Sequence, residues 1–417
     1  MVGGGFGGLY TALKVKEQSP STAVTLVDPK DKFVFLPLLY ELAVGSASVV
    51  EVAPRYEDLL RGTGIRFVQG SVEGVDLDDK IVRLSSSQSQ AERLEYDKLV
   101  VACGAQPNLG VIPGADEFAL AFCRVEDAYR LRTELRALLD NPDSTGPIRV
   151  AVLGGGYSGV EVATTLSEYL GRDRAKVTIL DRNECVMHSS PAYNRLEAER
   201  VLRASGVELQ CGVSVVRVTS SGVEYRPSPS SSSSSSSSPS QDAFLPADLV
   251  VATLGTQQAA LTQALGVAKD GRSGRILVDR SMRSSSHPDS VFSLGDCCVI
   301  AGEAVPSTAQ AAMQQADIVS KNVLCAQDSP SELRQFSFVP LGEMLTLGTK
   351  DAAVSSLGGL VELQGLAASV ARRFVYAMRM PTPHQRLSAL VSSAVVMGAN
   401  EVSKLLMPPP QGNGKRQ

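Results

Sequence analysis

The sequence predicts an α/β fold with two Rossmann-like dinucleotide-binding domains, one nested in the other, and a C-terminal α-helical segment. The motif G-x-G-x-x-G occurs twice, at Gly3, Gly5 and Gly8 and again at Gly154, Gly156 and Gly159. About 20 residues after each loop, a strand-like run ends in an acid, Asp28 or Asp181. A chain of 417 residues has room for two or three domains.

The first glycine loop has almost no strand in front of it. Only Met1 and Val2 precede Gly3, so the strand that should carry the loop is expected to be truncated, as in a fragment. Its loss should remove ladder partners from the neighbouring strands and an anchor from the loop. Further along, the patterns predict a helix over 7–18 and strands in 23–28, 65–72, 81–84 and 96–105.

The second unit repeats this order with its strand intact. Strand, glycine turn and helix occupy 148–170, and the strand that carries the second acid follows at 176–182. A serine tract at 227–241 cannot bury enough apolar surface to fold and is predicted to be a disordered loop. Other patterns predict a helix over 124–140, a strand over 290–298 that ends in Gly295–Asp296, and a helix over 306–326.

The two loops point to dinucleotide chemistry. The glycines let backbone N–H groups at a helix N-terminus approach a pyrophosphate, and the acids are placed to accept from ribose hydroxyls. The alternative, two tight turns without a ligand, is disfavoured because the whole fingerprint is present twice. Two such sites in one chain are typical of a relay between a nicotinamide and a flavin. Asp296 suits a flavin ribityl hydroxyl, with a helix N-cap or turn acid as the alternative.

Composition excludes several other classes. The net charge of −4 gives no attraction to nucleic acid, and no apolar run is long enough for a transmembrane helix. The seven cysteines form no metal-binding spacing, so no metal site is predicted. The adjacent pair Cys297–Cys298 is disfavoured as a redox disulfide because vicinal cysteines strain the bond.

These motifs, together with "FVFLPLLYEL" (33–42), "SLGDC" (293–297) and "STAQAAMQQAD" (307–317), resemble the type II NAD(P)H:quinone dehydrogenases, which are two-dinucleotide flavoproteins. The segment 341–392 is similar to the C-type plant and cyanobacterial branch, whose members reduce plastoquinone or demethylphylloquinone. The resemblance implies hydride transfer from NAD(P)H through FAD to a membrane quinone, without proton pumping. It also implies an FAD-binding domain at 1–118 and 280–336, an NAD(P)H-binding domain at 119–279, and a quinone and membrane-association region at 337–417.

The resemblance carries over residue by residue. Glu161, Gln310 and Gln314 match family residues beside the flavin and quinone, although ordinary helix polarity is the alternative for the glutamines. The residues expected to hold FAD are Gly3, Gly5, Phe6, Gly7, Gly8, Asp28, Pro37, Gly104, Asp296 and Ala309. The residues expected to hold NAD(P)H are Gly154, Gly156, Tyr157, Ser158, Gly159, Asp181, Arg182 and Gly255.

Nicotinamide preference stays open at the level of sequence. Asp181 favours NADH by accepting from the 2′-hydroxyl, whereas Arg182 could pair with the 2′-phosphate of NADPH. The branch resemblance leans toward NADPH. Cys103 stands where the family usually has threonine or another small residue.

The quinone acceptor implies a peripheral membrane or lipid-particle surface. In "LAASVARRFVYAM" (366–378), Leu366, Val370, Phe374 and Met378 recur at helical spacing, and 387–406 is a second amphipathic candidate. The alternative is packing against the flavin domain or a partner in a homodimer. The resemblance implies a plastid location, at the thylakoid or plastoglobule, or a mitochondrial one.

Two other functions remain open. One is a flavin-dependent NAD(P)H reductase with a protein or disulfide acceptor, although no cysteine pair precedes Cys103. The other is an inactive, flavin-free remnant, because the first strand is truncated.

Overall fold

The computed structural model describes residues 1–85, 92–141, 146–228, 242–325 and 332–391. Most of the serine tract and of the second amphipathic candidate lies outside these residues. The α-helices are α1 (Phe6–Gln18), α2 (Leu39–Val44), α3 (Val49–Val52), α4 (Tyr56–Leu59), α5 (Ala115–Phe118), α6 (Val125–Leu139), α7 (Tyr157–Leu170), α8 (Ala192–Ser205), α9 (Ala260–Ala264), α10 (Ala309–Asn322) and α11 (Gly365–Met378).

The strands in the first part of the chain are β1 (Val24–Asp28), β2 (Ile65–Gln69), β3 (Ser71–Asp76), β4 (Ile81–Ser85), β5 (Glu92–Glu95), β6 (Leu99–Val101), β7 (Ala105–Pro107), β8 (Leu120–Ala121), β9 (Ile148–Leu153), β10 (Ala175–Asp181) and β11 (Glu208–Cys211). Those in the second part are β12 (Val213–Thr219), β13 (Gly222–Pro227), β14 (Ala243–Pro246), β15 (Leu249–Ala252), β16 (Thr256–Gln258), β17 (Ile276–Val278), β18 (Val291–Ser293), β19 (Cys298–Ile300), β20 (Glu343–Thr346), β21 (Ala352–Ser356) and β22 (Val361–Gln364).

The second glycine loop extends from the middle of a five-stranded parallel sheet of order β11-β10-β9-β15-β8. Strands buried on both faces need apolar side chains, which is why every residue of β9 except the exposed Arg149 is apolar and buried. Helix α7 starts directly after the turn that follows β9, with Gly156 as its N-cap. The predicted strand–turn–helix unit at 148–170 is therefore confirmed.

The first glycine loop is preceded by a single paired residue, Val2, rather than by a full strand. Val2 forms parallel bridges to Val27 of β1 and to Val101 of β6, so it joins the β1–β2 pair to the β6–β18 pair. The amide of Val2 donates to the Val100 carbonyl at 2.8 Å, and the amide of Ala102 donates to the Val2 carbonyl at 2.8 Å. The loss of ladder partners is smaller than the sequence suggests, because Met1–Gly3 bonds to both neighbours.

The C-terminal region is more than a helix. Strands β20, β21 and β22 form an antiparallel sheet, and α11 packs on β21 and β22. Small and apolar residues fill β21, and three of its residues belong to a buried cluster or to the main core, namely Ala352, Ala353 and Val354. The three-stranded sheet therefore supports α11, which also contacts the first domain through Glu41. The domain boundaries proposed from sequence remain predictions.

Candidate functional site

The first glycine loop is a tight cradle. Gly3 adopts a φ of +97°, which favours glycine, and a Cβ on Gly8 would lie 1.8 Å from the Gly3 carbonyl oxygen. A Cβ on Gly5, by contrast, would meet nothing within 4 Å. The loop is therefore closed toward the protein at Gly3 and Gly8 and open at Gly5, which is the N-cap of α1. Phe6 and Gly7 form the first turn of this helix.

Asp28 holds this cradle from the end of β1. The buried carboxylate accepts from the amide of Gly4 at 2.7 Å and from the amide of Lys30 at 2.9 Å. On the same loop, the Tyr56 hydroxyl donates to the Gly4 carbonyl at 2.8 Å. The acid predicted to face ribose hydroxyls thus also orders the loop, and Tyr56 is a support that no sequence signal indicated.

The second cradle repeats the first. Gly154 has a φ of +105°, a Cβ on Gly159 would lie 1.9 Å from the Gly154 carbonyl oxygen, and a Cβ on Gly156 would meet nothing within 4 Å. The Asp181 carboxylate accepts from the amide of Gly155 and, at 2.7 Å, from the amide of Asn183. Arg182 follows with an exposed side chain.

Two further turns connect the cradles. Gly104 follows β6 with a φ of +63°, Gly255 follows β15 with a φ of +77°, and a Cβ on either would meet nothing within 4 Å. The strands that come next, β7 and β16, pair with each other, with Gln106 opposite Gln257. The two turns predicted to close over separate nucleotides are therefore joined by one short antiparallel ladder.

Asp296 lies between these turns and the start of α10. Gly295 has a φ of +78°, and its amide donates to Oε1 of Gln315 at 2.7 Å. Burial raises the pKa of Asp296, and the positive charge of Arg275 opposes that rise. Nearby, Nε of Arg275 and Oε1 of Gln258 are buried without a hydrogen-bond partner. Together with the open glycines, these polar atoms suit an absent polar ligand.

Gln310 and Gln314 contact the chain that follows α10. Nε2 of Gln314 donates to the Val339 carbonyl at 2.8 Å, and its Oε1 accepts from the Val339 amide at 3.0 Å. Oε1 of Gln310 accepts from the amide of Leu341 at 3.4 Å. Both amides thus bind the segment that leads to β20. Ala309 opens α10 and Pro37 lies in a 3₁₀ turn, each half-buried.

Glu161 is buried where α7 meets α2 and β20. Its Oε1 accepts from the Thr346 amide at 3.0 Å, and the Tyr40 hydroxyl, which donates to Oγ of Ser158 at 3.4 Å, also interacts with the carboxyl group. Burial raises the pKa of Glu161, while these hydrogen bonds and the positive charge of Arg372 lower it. Tyr157 and Ser158, at the start of α7, contact Glu343 and Tyr40 respectively.

Helix α11 has an unusual orientation. Arg372 and Arg373, which lie off the apolar stripe of this helix, are buried. The four apolar residues at helical spacing are exposed instead: Leu366 by 57%, Val370 by 40%, Phe374 by 56% and Met378 by 46%. Within the described residues, no helix has the length and apolar character needed to cross a membrane.

The cysteines are all free thiols. Cys103 and Cys297 interact: Cys103 lowers the pKa of the Cys297 thiol, and Cys297 raises that of Cys103, whose sulfur also lies 3.1 Å from the Thr262 hydroxyl. In the sequence, Cys297 stands out only as the neighbour of Cys298. Contact with Cys103, 194 residues earlier, arises because β6 and β18 are neighbours.

The family model described as pyridine nucleotide-disulphide oxidoreductase matches residues 1–316. The demethylphylloquinone reductase of Synechocystis is 35% identical over 93% of this chain and 93% of its own length. The chloroplastic/mitochondrial alternative NAD(P)H-ubiquinone oxidoreductase C1 of Arabidopsis thaliana is 35% identical over 94% of this chain and 79% of its own.

A solved structure shares the fold. The NDH2 of Plasmodium falciparum in complex with NADH superposes with a TM-score of 0.83 and 18% identity, covering 94% of this chain and 96% of that one.

Proposed function

This chain belongs to the pyridine nucleotide-disulphide oxidoreductase family and, within it, to the type II NAD(P)H:quinone oxidoreductases, and on that premise we propose that it transfers a hydride from NAD(P)H through FAD to a quinone. One observation supports the proposal above all others. Two glycine cradles, each with a buried acid on its loop, are joined through the β7–β16 ladder. A relay between two dinucleotides needs such a connection.

The first cradle fits FAD. Gly5 and Gly104 leave room where a Cβ would meet nothing, and the N-terminus of α1 suits a pyrophosphate. Asp296 and Arg275 add a carboxylate and a cation beside them. When bound, FAD would accept the hydride and pass the electrons on. We assign FAD binding to Gly3–Gly8, Asp28, Pro37, Gly104, Asp296 and Ala309.

The second cradle fits NAD(P)H. The N-terminus of α7 behind Gly154–Gly159 suits a pyrophosphate and Asp181 suits ribose hydroxyls, and we assign Gly255 to the same nucleotide. Asp181 already accepts from two backbone amides, so its free lone pairs are oriented by the loop. The exposed Arg182 is available to a 2′-phosphate, which supports NADPH.

We assign Glu161, Gln310 and Gln314 to the reduction of the quinone. Glu161 is a buried carboxyl with a raised pKa, a form suited to donating a proton. Gln310 and Gln314 hold the 339–341 segment in place, so their role is to shape the site wall. The acceptor that we propose is plastoquinone or a naphthoquinone, the latter supported by the Synechocystis relative, a demethylphylloquinone reductase.

We further propose that the exposed face of α11 docks on a lipid bilayer, from which a long-tailed quinone enters. A helix that buries two arginines and exposes leucine, valine, phenylalanine and methionine is energetically poor in water. The same arrangement suits an interface with acyl chains. The relatives support a plastid location for this surface, with a mitochondrial one as the alternative.

The activity is tested by anaerobic visible absorption of the purified protein. A flavin spectrum that bleaches with NADPH or NADH and recovers on addition of a plastoquinone or naphthoquinone analogue is the expected result. Bleaching without recovery would reject the quinone as acceptor and favour a protein or disulfide acceptor. Absence of a flavin spectrum would mean that this chain is the flavin-free remnant.

Membrane docking is tested by co-sedimentation with vesicles of phosphatidylcholine and phosphatidylglycerol. Replacing Leu366→Ser and Phe374→Ser together should weaken binding about tenfold or more, because each buried apolar side chain contributes roughly 1.5–3 kcal/mol. Leu196→Ser is the matched control, since Leu196 is 61% exposed on α8. Unchanged vesicle binding together with loss of a dimer in gel filtration would assign the face to a second copy instead.

A further inference from the structure

The acid of the first cradle keeps half of its capacity to accept hydrogen bonds. Oδ2 of Asp28 accepts from the Gly4 amide at 2.7 Å, and Oδ1 accepts from the Lys30 amide at 2.9 Å. Among the described residues, no side chain donates to this carboxylate, and the side chain of Lys30 is exposed. A carboxylate can accept about four hydrogen bonds through its two oxygens. Asp28 therefore has room for both hydroxyls of a ribose.

The acid of the second cradle is more heavily occupied. Oδ2 of Asp181 accepts from the Gly155 amide, and Oδ1 accepts from the Asn183 amide at 2.7 Å, as in the first cradle. Oδ1 also accepts from the side chain of Asn183, whose Nδ2 lies 2.8 Å away. This third bond fills Oδ1 and has no counterpart at Asp28. Asp181 therefore has room for about one further donor, on Oδ2.

Asn183 is held in this orientation by its own backbone. Its carbonyl accepts from the Gly212 amide at 2.8 Å, and its amide donates to Asp181. The residue is half-buried, between the exposed Arg182 and the exposed Glu184. Because the backbone is bonded on both sides, the side-chain amide of Asn183 is directed at the carboxylate by the protein itself.

The difference bears on the group by which the two nicotinamide dinucleotides differ. The adenosine ribose of NADH carries a 2′-hydroxyl, which donates to an acid at this position, and that of NADPH carries a 2′-phosphate, which the same acid repels. The Nδ2 donor of Asn183 takes up acceptor capacity of Asp181, and its dipole offsets part of the negative charge. Both effects weaken the advantage of NADH over NADPH.

We propose that Asn183 is a positioning residue that sets the nicotinamide preference through Asp181. It occupies an acceptor position that a ribose with a free 2′-hydroxyl would use, and it lets the second cradle take the 2′-phosphate of NADPH. This inference rests on the proposed function, which assigns NAD(P)H to the second cradle. The adenosine of FAD has no 2′-phosphate, and the acid of the first cradle has no side-chain donor of this kind.

The test is the ratio of kcat/KM for NADPH to kcat/KM for NADH. Dissociation constants for NADP⁺ and NAD⁺, from calorimetry on the flavin-loaded protein, measure the same preference without turnover. Asn183→Ala removes the third donor and should lower the ratio about tenfold, because hydrogen bonds to charged groups are the strong ones. The KM for NADH should fall and the KM for NADPH should rise. Asn183→Leu, which keeps a side chain branched at Cγ but has no donor, should act in the same way.

Three further variants show where the effect arises. Lys30→Ala is the matched control, since Lys30 is the equivalent residue of the first cradle, and it should leave the ratio unchanged. Arg182→Ala should weaken NADPH alone, without the gain for NADH. In an Asp181→Ala background, Asn183→Ala should no longer change the ratio, because the carboxylate through which it acts is missing.

Opposite changes for the two dinucleotides cannot arise from a loosened loop, which would weaken both. If Asn183→Ala does not fold, judged by flavin content and melting temperature, Asn183→Leu decides the matter. An unchanged ratio, or equal weakening of both dinucleotides, would overturn the inference. So would an undiminished change in the Asp181→Ala background, which would mean that Asn183 contacts the nucleotide directly. If the wild type binds neither dinucleotide, the proposed function fails, and that result is distinct from an unmoved ratio in a protein that binds both.

Discussion

The two glycine cradles are built from equivalent residues but are supported from behind in different ways. In each, an acid at a strand end accepts from a loop amide directly after the first motif glycine: Asp28 from Gly4 and Asp181 from Gly155. The second cradle rests on β9, which is paired on both sides, and on the Thr253 hydroxyl, which donates to the Leu153 carbonyl at 2.9 Å. The first rests on Val2 and on the hydroxyl of Tyr56. Cradle shape is therefore local, whereas its anchorage can come from elsewhere in the chain.

The residue two positions after the last glycine extends the comparison. It is Tyr10 in α1 and Glu161 in α7, and both are buried against the C-terminal region. The Tyr10 hydroxyl donates to the Arg379 carbonyl, and Glu161 accepts from the Thr346 amide. The same position on two equivalent helices thus holds the C-terminal region, but only in α7 does it offer an ionisable group that suits proton transfer.

The largest effect on cofactor binding and stability should come from adding a methyl group where the last glycine of each loop lies against the carbonyl of the first. Gly8→Ala places a Cβ against the Gly3 carbonyl, and Gly159→Ala does the same at Gly154. We expect Gly8→Ala to abolish flavin binding and to cost about 3 kcal/mol of stability, because backbone faces backbone and cannot yield. Gly159→Ala should keep the flavin spectrum but lose bleaching by NAD(P)H.

Visible absorption and thermal unfolding measure both variants. Gly110→Ala is the control, since a Cβ there would meet nothing within 4 Å and Gly110 lies outside both cradles. Normal flavin content in Gly8→Ala would contradict the equivalence of the cradles.

The second set of variants should weaken cofactor binding while leaving the stability of the fold almost unchanged. At Gly5 and Gly156, alanine meets no protein atom, so Gly5→Ala and Gly156→Ala should lower stability by about 1 kcal/mol or less. Each methyl group would block a charged phosphate contact, so affinity for FAD or for NAD(P)H should fall about tenfold or more. Flavin titration of the apoprotein and the KM for NAD(P)H measure the two losses. Equal effects of both variants on flavin affinity would show that the sites are not separate.

The third effect should reveal the difference in support. Tyr56→Phe removes a buried donor from Gly4 and should cost about 1–2 kcal/mol, with weaker flavin binding. Thr253→Val should cost about 1 kcal/mol and leave flavin binding unchanged, because the β9 ladder still holds its loop. Denaturant unfolding monitored by flavin release compares the two. A larger loss in Thr253→Val would invert the assignment of the weaker anchor.

The smallest expected effect is on the pH dependence of stability. Burial raises the folded-state pKa of Glu161 above its unfolded value. The folded protein then binds more protons than the unfolded chain between these two pKa values. Stability should therefore fall as pH rises through that window, and Glu161→Gln should flatten this part of the curve. Tyr10→Phe should leave the slope unchanged, since burial raises the pKa of a phenol that is already neutral there. Melting temperature between pH 4 and pH 8 tests both variants, and an equal slope in wild type and Glu161→Gln would contradict the prediction.

Some side-chain contacts of the site could not be predicted, because no sequence motif indicates them. Gln314 is part of a recognisable helix pattern, but its pairing with the Val339 backbone spans 25 residues. Gln315, its neighbour, holds Gly295 and has no spacing signal of its own. The burial of Arg372 and Arg373 was not predictable from helical spacing, because periodicity gives the angle between side chains and not the direction of the core.

The features that depend on a few adjacent residues can be predicted from the amino-acid sequence. Glycine spacing, strand-terminal acids and apolar runs specify two strand–turn–helix units, because backbone conformation and hydrogen bonds within about 30 residues decide them. The sequence also determined the family, which the relatives confirm. Only the tertiary structure decided that Val2 joins two strand pairs, that Glu41 buries two arginines, and that the apolar face of α11 is exposed. The reason is physical: where a charge is buried depends on which carboxylate lies opposite it, and here that partner is 331 residues away.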